Sequence, residues 1–117
     1  MSLVLVDHLY HHHLDQLEQE SQGQLNFILV DFRTKDALIE KHLPEAIAII
    51  GRVNPTENQY QSATKLELIQ TLSAGFEEVD QDRARHHGVQ VANNNGANAV
   101  SVAEHVLMQM LVLYRQL

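Results

Sequence analysis

The chain has 117 residues, a length that suits one domain able to bury its own core. Its hydrophobic fraction of 44% argues against disorder, and its formal net charge of −7 argues against general nucleic-acid binding, because phosphate recognition needs a basic face. The absence of cysteine excludes a disulfide framework and thiolate catalysis.

Neither end of the sequence carries a membrane signal. The opening MSLVLVDH lacks the basic n-region and the long apolar core of a signal peptide. The longest apolar run, near the C-terminus, is interrupted by Gln109 and is too short for a membrane span. We therefore expect a cytoplasmic chain with no membrane partner.

The first half of the sequence alternates apolar runs with amphipathic stretches. Short apolar runs predict buried strands at 3–6, 25–30 and 46–50. An amphipathic helix is predicted over 8–21 and is expected to end at Gly23. Its apolar residues are Leu9, Leu14 and Leu17. A second helix is predicted to begin at Thr34 and to end before Pro44.

The second half continues the alternation. The tetrapeptide NPTE predicts a helix start with Asn54 as the N-cap, followed by Pro55 at the first helical position. Two further strands are predicted, at 66–70 and 89–92. Between them, Asp80 is expected to cap a short helix that ends in basic residues before Gly88. A last, strongly apolar helix is predicted over 99–115.

Five strands that alternate with five helices predict a flavodoxin-like, three-layer α/β domain. The sheet is expected to be parallel and five-stranded, in the order 2-1-3-4-5. In such a sheet, ligands bind at the edge where the strands end, so the loops after the strands are the places to search for a site.

A histidine cluster near the N-terminus is one candidate site. His8, His11 and His12 are three and four residues apart, and Asp15 follows His11 by four, so helical spacing would allow transition-metal binding. The alternative is a solvated helix face that carries histidines by chance. We favour the alternative and predict no metal site.

The sequence argues against two kinds of phosphate site, a glycine-rich phosphate-binding loop and a phospho-receiver aspartate. The five glycines lie far apart, so the sequence contains neither a dinucleotide fingerprint nor a P-loop. A phospho-receiver domain would need an aspartate at the end of the third strand. Asp7 follows the first strand, but Gly51 and Arg52 follow the third.

The loop LSAGFEEVD follows the fourth strand. Gly75 would allow a tight turn that exposes the backbone N–H groups of residues 74–76, an arrangement that suits a carboxylate. The alternative is an ordinary strand-to-helix loop. Gly51 and Arg52 would lie at the same edge, where Arg52 could add a cation.

The segment 66–111 resembles the D-isomer-specific 2-hydroxyacid dehydrogenase family. The resemblance is carried by SAGFEEVD, GVQVANNNGAN and SVAEH, in that order and at the family's spacing. It is strong over about 65–115, and over 1–64 it consists only of the alternation of strand and helix. Formate dehydrogenase, phosphoglycerate dehydrogenase and glyoxylate or hydroxypyruvate reductase share these motifs.

The resemblance implies roles for particular residues. The substrate carboxylate would be held by the backbone amides of Ala74, Gly75 and Phe76, and the substrate would be bordered by Gly51 or Arg52. Asn98 would orient the substrate beside the nicotinamide, and Ala99 would face the cofactor. Relatives commonly carry a proline before the glycine of NNNGAN, which this sequence lacks.

The resemblance also implies that the catalytic residues lie elsewhere. The family's glycine-rich fingerprint, its substrate-gripping arginine and its histidine–carboxylate pair follow the segment matched here. We therefore expect no catalytic residue within this chain, and NAD or NADP to bind only in a complete enzyme. Residues 1–97 would be the substrate-binding lobe for a small 2-hydroxy or 2-oxo acid, and 98–117 an interdomain helix.

The apolar helix at 99–115 needs a partner surface, because exposing large apolar side chains costs about 1.5–3 kcal/mol each. We expect this helix to form a homo-oligomer or to fold onto the chain's own sheet. An alternative reading of the whole sequence is a non-catalytic, dimerising interaction module derived from the same family.

Overall fold

The structure is a computed structural model that describes residues 2–34, 37–51, 53–71 and 79–92. Within these ranges, five parallel strands form one sheet in the order β2-β1-β3-β4-β5, which confirms the predicted order. The strands are β1 Ser2–Asp7, β2 Leu25–Val30, β3 Ala46–Ile50, β4 Leu68–Gln70 and β5 Gln90–Ala92.

The described connections between these strands are short helices. The α-helices are α1 Leu14–Ser21, α2 Ala37–His42, α3 Glu57–Ser62 and α4 Gln81–His86. Two 3₁₀ helices, His8–His13 and Leu43–Glu45, precede α1 and β3 respectively. The structure thus has the expected alternation of strand and helix.

The two faces of the sheet bury separate apolar clusters. On one face, strand residues such as Leu5 and Ile49 pack with Ile39, Tyr60 and Ala84 of α2, α3 and α4. On the other face, Val4, Val6, Ile50 and Leu68 pack with Leu17 of α1. Both faces of the central strands are therefore buried, as predicted for β3, and the layers are helix, sheet and helix.

The helix predicted over 8–21 is wrong in its first half. His8–His13 is 3₁₀, interrupted at Tyr10 (φ −106°, ψ 22°), and α1 begins only at Leu14. Leu9, one of the three apolar residues of the predicted amphipathic helix, is 46% exposed. The change of helix type explains this, because a 3₁₀ segment repeats every three residues and rotates Leu9 away from the side of Leu17. The chain leaves α1 through left-handed residues at Gln22 (φ 53°) and Gly23 (φ 78°).

The predicted N-cap of α3 is also wrong, by two residues. Thr56, not Asn54, caps the helix: its hydroxyl accepts from Gln59 N at 3.1 Å, while Gln59 Oε1 accepts from Thr56 N at 2.9 Å. This reciprocal pair is a capping box. Asn54 is used elsewhere, because its Oδ1 accepts from Asp80 N at 3.1 Å and so links the start of α3 to the start of α4.

Other local predictions agree with the structure. Asp80 caps α4 by accepting from Arg83 N at 3.0 Å, and Gly88 follows with φ 74°. The second helix ends at His42, before Pro44. Thr34 as its cap stays a prediction, because residues 35 and 36 lie outside the described ranges. The same holds for the 99–115 helix, the 98–117 domain boundary and a homo-oligomer formed through that helix.

Candidate functional site

The ends of β3, β4 and β5 lie side by side and are joined by backbone hydrogen bonds. Gly51 N, directly after β3, donates to Gln70 O at 2.9 Å, and Thr71 N, directly after β4, donates to Ala92 O at 2.8 Å. Gly51, Thr71 and Ala92, the last described residues at these three strand ends, therefore lie next to one another on the carboxyl edge of the sheet. This is the edge at which parallel α/β sheets bind ligands.

Of the site residues predicted from the sequence, Gly51 lies in the described part of the chain. It sits where expected, at the end of β3 and on the carboxyl edge. The remaining predicted residues lie outside the described ranges, and their roles stay predictions. They are Arg52, Ala74, Gly75, Phe76, Asn98 and Ala99.

Gly51 allows the ends of β1 and β3 to approach closely. Its φ is +155°, and a Cβ built on it would lie 2.6 Å from the Cβ of Asp7. Atoms attached to two strand backbones do not come that close, so a side chain at position 51 would force the strands apart. Glycine at this position therefore sets the spacing at the β1–β3 end, next to the predicted substrate edge.

Asp7 is a buried carboxyl group at this point of the sheet. The residue is only 3% exposed, and its Oδ1 has no hydrogen-bond partner within the described ranges. Burial raises the pKa of Asp7, while backbone hydrogen bonds with Leu9 and His8 and the nearby Arg33 guanidinium oppose the rise. A carboxyl group in this state can accept a hydrogen bond from a ligand or, when protonated, donate one.

Asp7 lines a cleft of about 360 Å³ that opens where β1, β2 and β3 end. The lining residues are Asp7, Leu9, Phe32, Arg33, Val53, Asn54 and Gln59. Because β1 lies between β2 and β3, the chain moves outward from β1 in opposite directions, and the cleft lies at the switch point of the sheet. In the sequence, Asp7 stood out only as a possible receiver-domain acid, and no local pattern indicated the cleft.

Gln70, the last residue of β4, is a second buried polar group at the edge. It is fully buried, its Nε2 donates to Thr71 O at 3.0 Å, and its Oε1 has no partner within the described ranges. Side chains two positions apart in a strand point to the same face, so Gln70 lies on the same face as Leu68, the face covered by α1. Asp7 lies on the opposite face, the face of Leu5. The signal in the sequence is a lone amide ending the run LELIQ, directly before the predicted carboxylate loop.

A third polar group joins α3 to the residue that follows α4. The His87 Nε2–H donates to both carboxylate oxygens of Glu57 at 2.8 Å, and the His87 ring stacks on the Tyr60 ring with centroids 4.8 Å apart. The hydrogen bond from His87 lowers the pKa of Glu57, and burial raises the pKa of Tyr60. This contact ties together the two helices that follow β3 and β4.

The histidine cluster forms no metal-binding group in the structure. His11 Nδ1 lies 3.0 Å from His8 O, and the His12 and His13 rings lie 4.0 Å apart. Within the described ranges no three His, Asp or Glu side chains are grouped so that they could hold a metal ion. The metal hypothesis assumed α-helical spacing, which the 3₁₀ geometry of His8–His13 does not provide.

The architecture and the site together define a doubly wound α/β domain with a ligand edge at the ends of its strands. The family model described as "D-isomer specific 2-hydroxyacid dehydrogenase, catalytic domain" matches residues 3–110. The chain therefore belongs to the D-isomer-specific 2-hydroxyacid dehydrogenase family, an oxidoreductase family, as the sequence motifs predicted.

Individual relatives agree with this assignment. Over 100 residues the chain is 35% identical to "Formate dehydrogenase, chloroplastic/mitochondrial" of Arabidopsis thaliana, a match that covers 82% of this chain and 26% of that protein. It is 29% identical over 89 residues to D-3-phosphoglycerate dehydrogenase of Bacillus subtilis, covering 76% of this chain and 17% of the relative. The chain thus spans about a quarter or less of the length of these relatives.

Solved structures show the same fold. An NAD-dependent formate dehydrogenase from Staphylococcus aureus in complex with NAD matches 97% of this chain and 39% of its own, with a TM-score of 0.64 and 25% identity. A D-lactate dehydrogenase from Aquifex aeolicus complexed with NAD and lactic acid matches 94% of this chain and 33% of its own, with a TM-score of 0.62 and 26% identity.

Cellular location follows from neither the structure nor the relatives. No helix within the described ranges has both the length and the apolarity to cross a bilayer. The named relatives include chloroplastic and mitochondrial forms. The cytoplasmic location expected from the sequence stays a prediction.

Proposed function

We propose that this chain is the substrate-binding part of an NAD(P)-dependent oxidoreductase that acts on the CH–OH group of small 2-hydroxy acids. Hydride would pass between C2 of the acid and the nicotinamide. The coenzyme, NAD or NADP, would be held mainly by a second lobe in the complete enzyme. Solved relatives in complex with NAD, and one with NAD and lactic acid, support this assignment.

The observation that carries the proposal is the hydrogen-bonded row of strand ends. Gly51, Gln70, Thr71 and Ala92 are connected across β3, β4 and β5, so the segments with the predicted substrate residues start next to one another. In the proposed complex, the backbone amides of residues 74–76 hold the substrate carboxylate, and Gly51 and Arg52 border the substrate. Asn98 orients the substrate, and Ala99 faces the cofactor.

Carboxylate binding by residues 74–76 is testable on the 117-residue chain without coenzyme. We expect titration with D-lactate to shift the backbone amide NMR signals of residues 74–76, because each N–H would donate to a carboxylate oxygen. D-Lactamide, which has the same carbon skeleton but no carboxylate, is the matched control and should leave these signals unchanged. Equal shifts with both compounds, or no shifts with D-lactate, would contradict the proposal.

A further inference from the structure

The cleft at the ends of β1, β2 and β3 combines apolar walls with a few charged and amide side chains, as specific binding sites do. Its apolar walls are Leu9, Phe32 and Val53. Its polar groups come from Asp7, Arg33 and the side-chain amides of Asn54 and Gln59. It adjoins the proposed carboxylate edge, because Gly51 contacts Asp7 on one side and is hydrogen-bonded to Gln70 on the other.

Two amide side chains in the cleft have their orientation fixed by the backbone. Asn54 Oδ1 accepts from Asp80 N, and Gln59 Oε1 accepts from Thr56 N. With both carbonyl oxygens engaged, the NH₂ groups are what these residues can offer to a ligand in the cleft. Arg33 adds further donors: its side chain is 61% exposed, with Nε 3.9 Å from Asp31 Oδ1.

Asp7 supplies the opposite polarity among these donors. Its Oδ1 is buried and has no hydrogen-bond partner within the described ranges, and leaving such a group unsatisfied costs about 1–3 kcal/mol. A ligand that donates a hydrogen bond to this oxygen would remove that penalty. The cleft therefore combines one acceptor with donors from Arg33, Asn54 and Gln59, beside the Phe32 ring.

Hydroxyl groups fit this combination better than the other common ligand groups. An alkyl tail would leave the Asp7 oxygen unsatisfied. A carboxylate or phosphate would pair with Arg33 but be repelled by Asp7, and an ammonium group would pair with Asp7 but be repelled by Arg33, so a group of either charge gains at one residue and loses at the other. A hydroxyl group both donates and accepts, so neighbouring hydroxyls can bond to Asp7 and to the amide NH₂ groups together. Their C–H groups can pack on the apolar walls.

We propose that this cleft binds the hydroxylated tail of the substrate, so that the enzyme prefers 2-hydroxy or 2-oxo acids of the sugar-acid type over lactate-sized acids. This inference rests on the proposed function, because the carboxylate end is taken to be held by residues 74–76. The lengths agree: neighbouring strands are about 4.8 Å apart, so roughly 5–10 Å separate the cleft from the end of β4. A six-carbon acid spans roughly 8 Å.

The test compares three probes by NMR titration of the 117-residue chain. D-Gluconate has a carboxylate and a hydroxylated tail, D-lactate has the carboxylate end alone, and sorbitol has hydroxyls without a carboxylate. We expect D-gluconate to shift the amide signals of residues 74–76 and also those of Asp7, Leu9 and Arg33. D-Lactate should shift only the signals of residues 74–76, and sorbitol should bind more weakly than D-gluconate.

Variants assign the tail contacts. Asp7→Leu and Arg33→Gln should each weaken D-gluconate binding about tenfold, the effect of losing a hydrogen bond that involves a charged group, and should leave D-lactate binding unchanged. Arg85→Gln is the matched control for Arg33→Gln, since Arg85 is 78% exposed on α4 and does not line the cleft. Arg33 is an exposed side chain, so its variant tests the proposal even if Asp7→Leu alters the fold.

Three outcomes separate this inference from the proposed function. The pattern above supports both. If D-gluconate and D-lactate bind equally and shift only residues 74–76, the tail site is overturned while the proposed function stands. If D-gluconate and sorbitol shift the cleft signals equally and neither acid shifts residues 74–76, the proposed function is overturned, and with it the tail site as part of a substrate pocket.

Discussion

Replacing Gly51 by alanine tests whether the close contact between β1 and β3 is required at the candidate site. A Cβ at position 51 would lie 2.6 Å from Asp7 Cβ, whereas ordinary contacts of this kind begin at 3.4 Å. The two strand ends would therefore have to separate by about 0.8 Å. Asp7 Cβ is attached directly to the backbone, so rotation of the Asp7 side chain cannot relieve the contact.

The expected cost follows from the overlap and from the backbone angle. Overpacking of a buried contact costs about 1–3 kcal/mol, and an unfavourable backbone angle at a residue with a Cβ adds about 1–2 kcal/mol. We expect Gly51→Ala to lower the free energy of unfolding by about 2–5 kcal/mol, the sum of the two costs. Urea unfolding measures this as a lower midpoint at an unchanged m-value.

Gly23 and Gly88 provide matched controls. Both have positive φ, at +78° and +74°, but a Cβ on either would meet nothing within 4 Å. Their alanine variants should cost only the backbone part, about 1–2 kcal/mol. In the background Asp7→Gly, which removes the opposing Cβ, Gly51→Ala should recover about 1–3 kcal/mol of its cost, a coupling that a double-mutant cycle isolates. Equal costs at all three glycines, with no coupling to Asp7, would refute the reasoning.

Three further variants test single interactions. Thr56→Ala should lower the free energy of unfolding by about 1 kcal/mol through loss of the capping box, measured by urea unfolding against Thr64→Ala, whose exposed side chain takes no part in a cap. The hydrogen bond from His87 lowers the pKa of Glu57 below 4.5, so its stabilising effect is complete above pH 4.5 and is lost as pH falls through the folded-state pKa. Glu57→Gln should remove that part of the acid dependence, and an unchanged profile would contradict the assignment. Burial raises the pKa of Asp7 above 3.8, because the charged form is disfavoured inside the protein. The Asp7 contribution to the free energy of unfolding therefore falls as pH rises from 3.8 through the folded-state pKa. Asp7→Asn should lack this loss and gain relative to the wild type across that window, whereas parallel profiles would show that Asp7 is not buried as described.

The strands could be predicted well because their signal is local. The runs at 25–30 and 46–50 match β2 and β3 residue for residue, since each is bounded by polar or turn-forming residues. The fourth strand is shorter than predicted, Leu68–Gln70 instead of 66–70, although hydrogen bonding to its neighbours already begins at Glu67 N. A strand end depends on where its neighbours stop, which periodicity in one segment does not report.

The errors at helix starts have a non-local cause. Asn54 and Thr56 are both good N-caps in isolation, and the sequence pattern favours Asn54 because Pro55 follows it. In the structure, Asn54 Oδ1 is taken by Asp80 N, 26 positions along the chain, and Arg83 Nη1 donates to Pro55 O at 3.2 Å. The packing of α4 against the start of α3 thus leaves Thr56 as the cap, and only the tertiary structure contains that information.

The candidate site also has one part that the sequence predicts and one part that only the structure shows. Gly51 could be located from the sequence because it directly follows an apolar run. The need for glycine there comes from Asp7, 44 positions earlier, whose Cβ leaves no room for a side chain at position 51. The predicted order 2-1-3-4-5 already makes β1 and β3 neighbours, and both residues directly follow their strands, so the order alone implies that they meet. With register Val6↔Ile50, the next pair is Asp7 and Gly51. Position 51 has no room for any side chain, because its Cβ would lie 2.6 Å from Asp7 Cβ. The missing second acid at the end of β3, which argued against a receiver domain, therefore has a steric reason in the structure.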